Sequence, residues 1–290
     1  METVGEVLAR LGGWAMAADL VRVTSRRSLA AAVQRGDVQR IARGVYGLPG
    51  LAADLATAIA HDGVLSHTSA AAVWRLPLLV PPAKPHITLP TNRNAKAGPP
   101  AVLHWADLPV GDRRTRRTSL LRTVLDCSRI LPFGEALAVA DAALATGRVT
   151  QDELTAAAVT MSGFGRPNAL RVAAVATSRA ESFLESMLRS LLLEAGIGGF
   201  EPQVHVTTGT SRVRVDLGDR ANRIALEAEG FEFHGSAAKF AADCRRYDEL
   251  VAAGWLVLRF TYQQVIGDPR WVLATVEGAR AGRIDVPDDG

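Results

Sequence analysis

From residue 180 onward the apolar residues switch between a helical and an extended repeat, and this alternation limits the segment to a small sheet flanked by helices. Phe183, Leu184, Met187, Leu188, Leu191 and Leu192 recur at spacings of three and four and stop at Gly196. That is the pattern of an amphipathic helix closed by a glycine. Stretches of two-residue alternation or β-branched character follow at 203–208, 213–217 and 223–229, separated by TTGTS and GDRAN, and read as strands. A second helix is expected over 237–253, with Phe240, Cys244, Tyr247 and Val251 along one face and Gly254 after it. WLVLRFT then gives a fourth strand, and 269–281 a last helix. The order is helix, three strands, helix, strand, helix.

Two acids interrupt this pattern. Asp216 in RVDLG and Glu227 in IALEAEG fall inside otherwise apolar strands, eleven residues apart across a turn. A buried, unpaired carboxylate costs several kcal/mol, so acids in such places mark a site more often than they mark packing. Carboxylates gathered at one point suit Mg2+ or Mn2+, hard cations that take oxygen ligands and keep several waters. Such an ion acidifies a bound water and neutralises charge building on a phosphate. Glu181, at the start of the opening helix, reads either as a third carboxylate of this centre or as a first-turn glutamate complementing the helix dipole.

With acids on its second and third strands, this order resembles the restriction-endonuclease-like fold of the PD-(D/E)XK superfamily. SRAESFLESMLRSLLLEAG, PQVHV, RVDLG, LEAEGFEFHG and DCRRYDELVAAGWLVLRFT occur in that order, and together they resemble nuclease domains related to very-short-patch-repair endonucleases. The resemblance implies that Glu181, Asp216 and Glu227 are metal or water ligands. It places Glu229 and His234 near the scissile phosphate, and gives Arg246 a role in holding the site or the DNA. One position departs from the pattern, because a lysine is expected two residues after Glu227 and this chain has Glu229. Glu229 can take a second metal or act as a base. His234 is the substitute acid or base, since imidazole titrates near neutrality, or else a surface histidine in the turn before the helix.

The amino terminus carries a different pattern. Residues 3–11, 15–22 and 25–35 have helical spacing, with Ser25 as an N-cap, and VQRIARGVYGLPG reads as a hairpin around Arg43-Gly44. Three short helices and a hairpin make a winged helix-turn-helix, whose third helix enters the major groove of DNA. Arg26, Arg27 and Arg35 then lie on or beside that helix, and Arg40 and Arg43 on the wing. Seven arginines against four acids in residues 1–50 fit a polyanion partner, whereas in the last third acids outnumber bases. The bland alternative is a solvated arginine face on a small helical domain. The run from GGWAMAADL to RGVYGLPG resembles the winged-helix domain of abortive-infection type IV antitoxins, and SHTSAAAVWRLP and RRTSLLRTVLDCSR extend the likeness over roughly the first half of the chain. It implies a cognate toxin protein as a partner.

The middle of the chain alternates helix and strand signals between closely spaced prolines, then turns helical from residue 133. His67, His86 and His104 lie there, but they are not spaced like ligands on one element and read as packed or surface residues. Arg113, Arg114, Arg116 and Arg117 form the densest positive run, either a solvated loop or an extension of a phosphate-contacting surface. Cys127 and Cys244 read as small buried residues in helices, with neither a disulfide nor a zinc site expected. No apolar run is long enough for a membrane span and no signal peptide is visible, so a cytoplasmic protein is expected.

The expected class is thus a multi-domain α/β (α+β) protein: a winged helix-turn-helix over 1–50, a mixed α/β region with a helical linker over 51–177, and a restriction-endonuclease-like αβββαβ domain over 178–282. The expected activity is a metal-dependent endonuclease acting on double-stranded DNA, with a role in phage defence. The two-carboxylate chemistry does not choose between DNA and RNA. Double-strand cutting by one active site needs two copies, so a homodimer is consistent with it. The alternative is an antitoxin-like DNA-binding regulator whose nuclease-like domain no longer cuts.

Overall fold

The computed structural model describes residues 2–95, 98–209, 211–230 and 237–284. Helices and sheets are mixed along the chain, an α/β class, and the chain divides into two compact units. The first holds residues 1–75 and 80–126, and the second residues 76–79 and 127–290. No helix among the described residues is long and apolar enough to cross a membrane.

In the first unit, α1 (Val4–Arg10), α2 (Ala17–Val23) and α3 (Arg26–Gln34) pack around a core of Val7, Leu8, Leu20, Leu29 and Ala32. α1 starts on a reciprocal cap, Thr3 accepting from the Glu6 amide while Glu6 accepts from Thr3. Ser25 caps α3 as its sequence position suggests. The sheet beside these helices has three strands in the order β1 (Trp14–Met16), β3 (Val45–Gly47), β2 (Gln39–Ala42), all antiparallel. The hairpin was legible; β1 was not, because three residues are too short to display alternation. After α4 (Ala53–Ala60) comes a second sheet, in which β4 (Val64–Leu65) pairs antiparallel with β5 (His86–Leu89) and β5 pairs parallel with β6 (Val102–Trp105). α5 (His67–Val73) joins the first two of these strands, and α6 (Val110–Thr115) follows the third. The arginine run beyond β6 is partly used inside this unit. Arg116 bonds Asp62 and the Gly63 carbonyl and sits over the Trp14 ring, and Arg117 lies 3.9 Å over Trp74.

α7 (Leu120–Ile130) spans the division between the units. In the second unit, α8 (Phe133–Ala145), α9 (Gln151–Thr160) and α10 (Arg166–Val175) form a helical group, and α8 packs on α11 (Phe183–Ala195). The helical stretch expected as a linker therefore belongs to this unit's core. Its fastening is a buried ion pair in which Arg189 donates to both oxygens of Asp141 at 2.9 and 2.8 Å, while Ser186 and the Thr177 amide also donate to that carboxylate.

The sheet of this unit runs β10 (Leu256–Thr261), β9 (Ile224–Glu229), β8 (Arg212–Asp219), β7 (Phe200–Thr207). β7–β8 and β8–β9 are antiparallel, and β9–β10 is parallel across the helix α12 (Ala237–Ala252). One face buries Leu217, Ile224, Leu226 and Phe260 against α11, α13 (Tyr262–Gly267) and α14 (Pro269–Ile284). The other buries Val204, Val206, Val213, Val215 and Ala225 against Leu250 of α12 and Trp255. With both faces covered, the central strand β9 reads as a nearly continuous apolar run, and a carboxylate in it stands out. Cys127 is buried as expected, but Cys244 is exposed.

Candidate functional site

The β8–β9 ladder runs only from Asp219–Ile224 to Leu217–Leu226. The next residues outward are Asp216 and Glu227, at the point where the two strands part. There the Ala228 amide donates to Asp216 Oδ2 at 2.9 Å, so the carboxylate takes a backbone donor that the ladder leaves over. Glu227 is buried, 4% exposed. Burial pushes Asp216 up to about 6, helped by the charges of Glu185 and Glu229 against the Ala228 hydrogen bond and Arg246. Burial likewise pushes Glu227 up to about 7, with the charge of Asp216 adding to it and Arg246 opposing. Two carboxyls held near neutrality in this way carry a standing deficit of positive charge.

Arg246 of α12 meets part of it. Its Nη1 and Nη2 donate to Glu227 Oε1 and Oε2 at 3.2 and 3.0 Å, and Nη1 also donates to the Arg214 carbonyl. Its Nη2 reaches the Tyr247 hydroxyl at 3.0 Å. Tyr247 in turn donates to Glu229, to which Arg259 Nε donates at 2.7 Å. Burial raises the Glu229 carboxyl, but Arg259, Tyr247 and Arg246 outweigh it and hold the group below the usual range. Glu229 is therefore an anchor for two side chains, Tyr247 and Arg259. The positive charge around Glu229 comes from Arg246 of α12 and Arg259 of β10.

Glu181 does not face this centre. α11 begins at Phe183 with Ser182 as its N-cap, so Glu181 precedes the helix and pairs with Arg214 through both oxygens at 2.6 and 2.7 Å. One turn on, Glu185 is buried and takes its place near Asp216. Its Oε2 accepts from the Glu181 amide at 3.0 Å and from Gln203 Nε2 at 2.7 Å. Gln203 lies across β7–β8 from Asp216 by register, with a φ of +55°. Its Oε1 is a buried acceptor without a hydrogen-bond partner, a costly arrangement that points to a missing donor or cation. The sequence held a signal for Glu185: Ser182 three residues before a glutamate is a capping signature that fixes the helix start. It held none for Gln203.

Beside the carboxylates, a cleft of about 660 Å3 is lined by Arg212, Arg214, Arg245 and Arg246 among others. The sequence carries no signal that sets the first three apart from other strand and helix arginines. Of the other expected residues, His234 lies outside the described residues. Arg26, Arg27, Arg35, Arg40 and Arg43 are all exposed in the first unit, and Arg35 pairs with Asp37 at 2.8 Å. Among the described residues, no trio of carboxylates brings its ligand atoms within 4.8 Å of one another, but His67, His86 and His104 do. Those three, which the sequence presents as packed or surface residues, are assembled by strand pairing that the sequence does not display.

Fold and site together define an α/β protein with paired buried carboxyls at the edge of an arginine-lined cleft. No protein-family model matches the chain, and no curated protein matches it.

Proposed function

We propose that the second unit is a metal-dependent DNA endonuclease of the restriction-endonuclease-like type, and that a winged helix-turn-helix at residues 1–50 directs it to duplex DNA. The observation that carries this reading is the pair Asp216 and Glu227, buried where β8 and β9 part, with the Ala228 amide on the first and Arg246 on both oxygens of the second. The donor set fits Mg2+ or Mn2+: it is all oxygen, Asp216 has no ion-pair partner among the described residues, and Gln203 Oε1 is an orphaned acceptor at the same register position. Asp216 and Glu227 would hold the ion, with Gln203 and Glu185 beside them. When bound, it supplies an acidified water and charge for the phosphate.

The protein's own groups do the rest. Arg246 bridges Glu227 and the cleft, so its guanidinium is positioned to take the charge that develops on a phosphate, the part lysine plays in related sites. Arg212, Arg214 and Arg245 line the path of a phosphate backbone. Glu229 keeps Tyr247 and Arg259 in place, and Tyr247 in turn holds Arg246. The exposed arginines of α3 and of the β2–β3 hairpin supply sequence-independent and groove contacts in the first unit.

Supercoiled plasmid incubated with the purified full chain and Mg2+ or Mn2+ tests this directly. We expect nicking or linearisation by the wild type, and none by Asp216→Asn, which retains duplex binding. No cleavage of DNA or RNA, with binding to the protein's own promoter region, would establish the regulator reading instead. Cleavage of RNA alone would change the substrate.

A further inference from the structure

We propose that His67, His86 and His104 form a second metal site, in the first unit, that takes a zinc-class transition ion through three imidazole nitrogens and leaves a coordination position open. The three come from separate elements: His67 opens α5, His86 opens β5, and His104 is the third residue of β6. Parallel pairing sets His86 opposite Val102 and Thr88 opposite His104, which puts both histidines on one face of the sheet. The Ser66 amide donates to the His86 carbonyl at 3.0 Å and brings the start of α5 alongside. As a result one ligand nitrogen from each ring lies within 4.8 Å of the other two.

A tetrahedral ion with bonds of about 2.0–2.1 Å needs nitrogens about 3.3–3.4 Å apart. His86 Nδ1 and His104 Nε2 are 3.0 Å apart, sharing a hydrogen bond in the metal-free protein that an ion would replace. The His67 ring lies against His104, 3.7 Å between centroids, so binding an ion requires its nitrogen to close in from within 4.8 Å of the other two. Ser66 Oγ lies 2.9 Å from His67 Nδ1, the kind of outer hydrogen bond that orients a ligating imidazole.

Two further observations set the cluster apart from ordinary packing. His67 has a φ of +49°, a left-handed conformation that costs energy in a non-glycine residue and is retained where the surroundings impose it. Thr88, fully buried on the same face of the sheet, has a hydroxyl with no hydrogen-bond partner. Imidazole suits zinc-class ions, whereas the carboxylates of the second unit suit Mg2+. The two sites are chemically independent.

Tag-free full-length protein, stripped with chelator, is titrated with Zn2+ by calorimetry and with Co2+ by visible absorption. We expect one equivalent of Zn2+ per chain, a tetrahedral Co2+ spectrum, and loss of affinity by more than about 100-fold in His86→Gln and in His104→Gln. Asp216→Asn should bind Zn2+ like the wild type. X-ray absorption at the zinc edge of the wild type gives a readout that no misfolded variant can confuse, and should show three imidazole nitrogens. An absence of stoichiometric binding, a shell without imidazole, or glutamine variants that bind like the wild type would overturn the proposal.

Discussion

Replacing Asp216 by asparagine should stabilise the metal-free protein at pH 8 while abolishing its activity. In the fold this carboxyl titrates near 6, against an ordinary value of 3.8. At about 1.4 kcal/mol per pH unit, the ionised form therefore costs the folded state about 3 kcal/mol. A raised acid favours folding only while it stays protonated. The penalty is absent below pH 3.8, grows as pH rises toward 6 and is complete above it. Asparagine keeps the shape, and its Oδ1 can still accept from the Ala228 amide, so the penalty disappears with little else lost. The gain should be about 2–3 kcal/mol at pH 8, or on the order of 5–10 °C for a unit of this size, and about half as large at pH 5. The assay is urea unfolding in chelator, with amide hydrogen exchange in β8 and β9 to isolate this unit's transition. Saturating Mg2+ should reverse the order of stability, because only the wild type binds it. An asparagine variant that is no more stable than the wild type at pH 8, or that gains equally at pH 5, would refute the reasoning.

Three other outcomes follow from the same geometry. Mg2+ affinity measured by calorimetry should rise from pH 6 to 8, because protons held by Asp216 and Glu227 near 6 and 7 compete with the ion. Cleavage should survive Glu181→Gln, whose side chain serves Arg214, and fall with Glu185→Gln; Arg246→Ala should lower it on the order of 10²-fold. Asp141→Ala should destabilise the second unit by about 3–5 kcal/mol in urea unfolding, since it leaves Arg189 buried and unpaired.

Glu227 stands out in the sequence because β9 is apolar on both faces, and Asp216 because it follows the buried Val213 and Val215 of β8 at the point where that strand turns apolar. The helix and strand order around them was visible for the same reason. What escaped depended on geometry that no local pattern encodes. A one-turn ambiguity in where α11 starts exchanges Glu181 for Glu185, and only Ser182 as the cap resolves it. Gln203 looks like any polar strand residue until its positive φ and its orphaned oxygen are seen. The three histidines are distant in sequence and meet only through strand pairing and the first turn of α5. A three-residue strand such as β1 leaves no periodic trace. Glu229 was legible as an anomaly, but its partners Tyr247 and Arg259 come from other elements and decide what it does.

The most direct test of the centre is a crystal structure soaked in Mn2+, with the ion located by its anomalous signal. We expect one ion bound by Asp216 and Glu227, with Glu181 still on Arg214. Density without an anomalous peak at these carboxylates, with Arg246 still bidentate on Glu227 at saturating Mn2+, would contradict it.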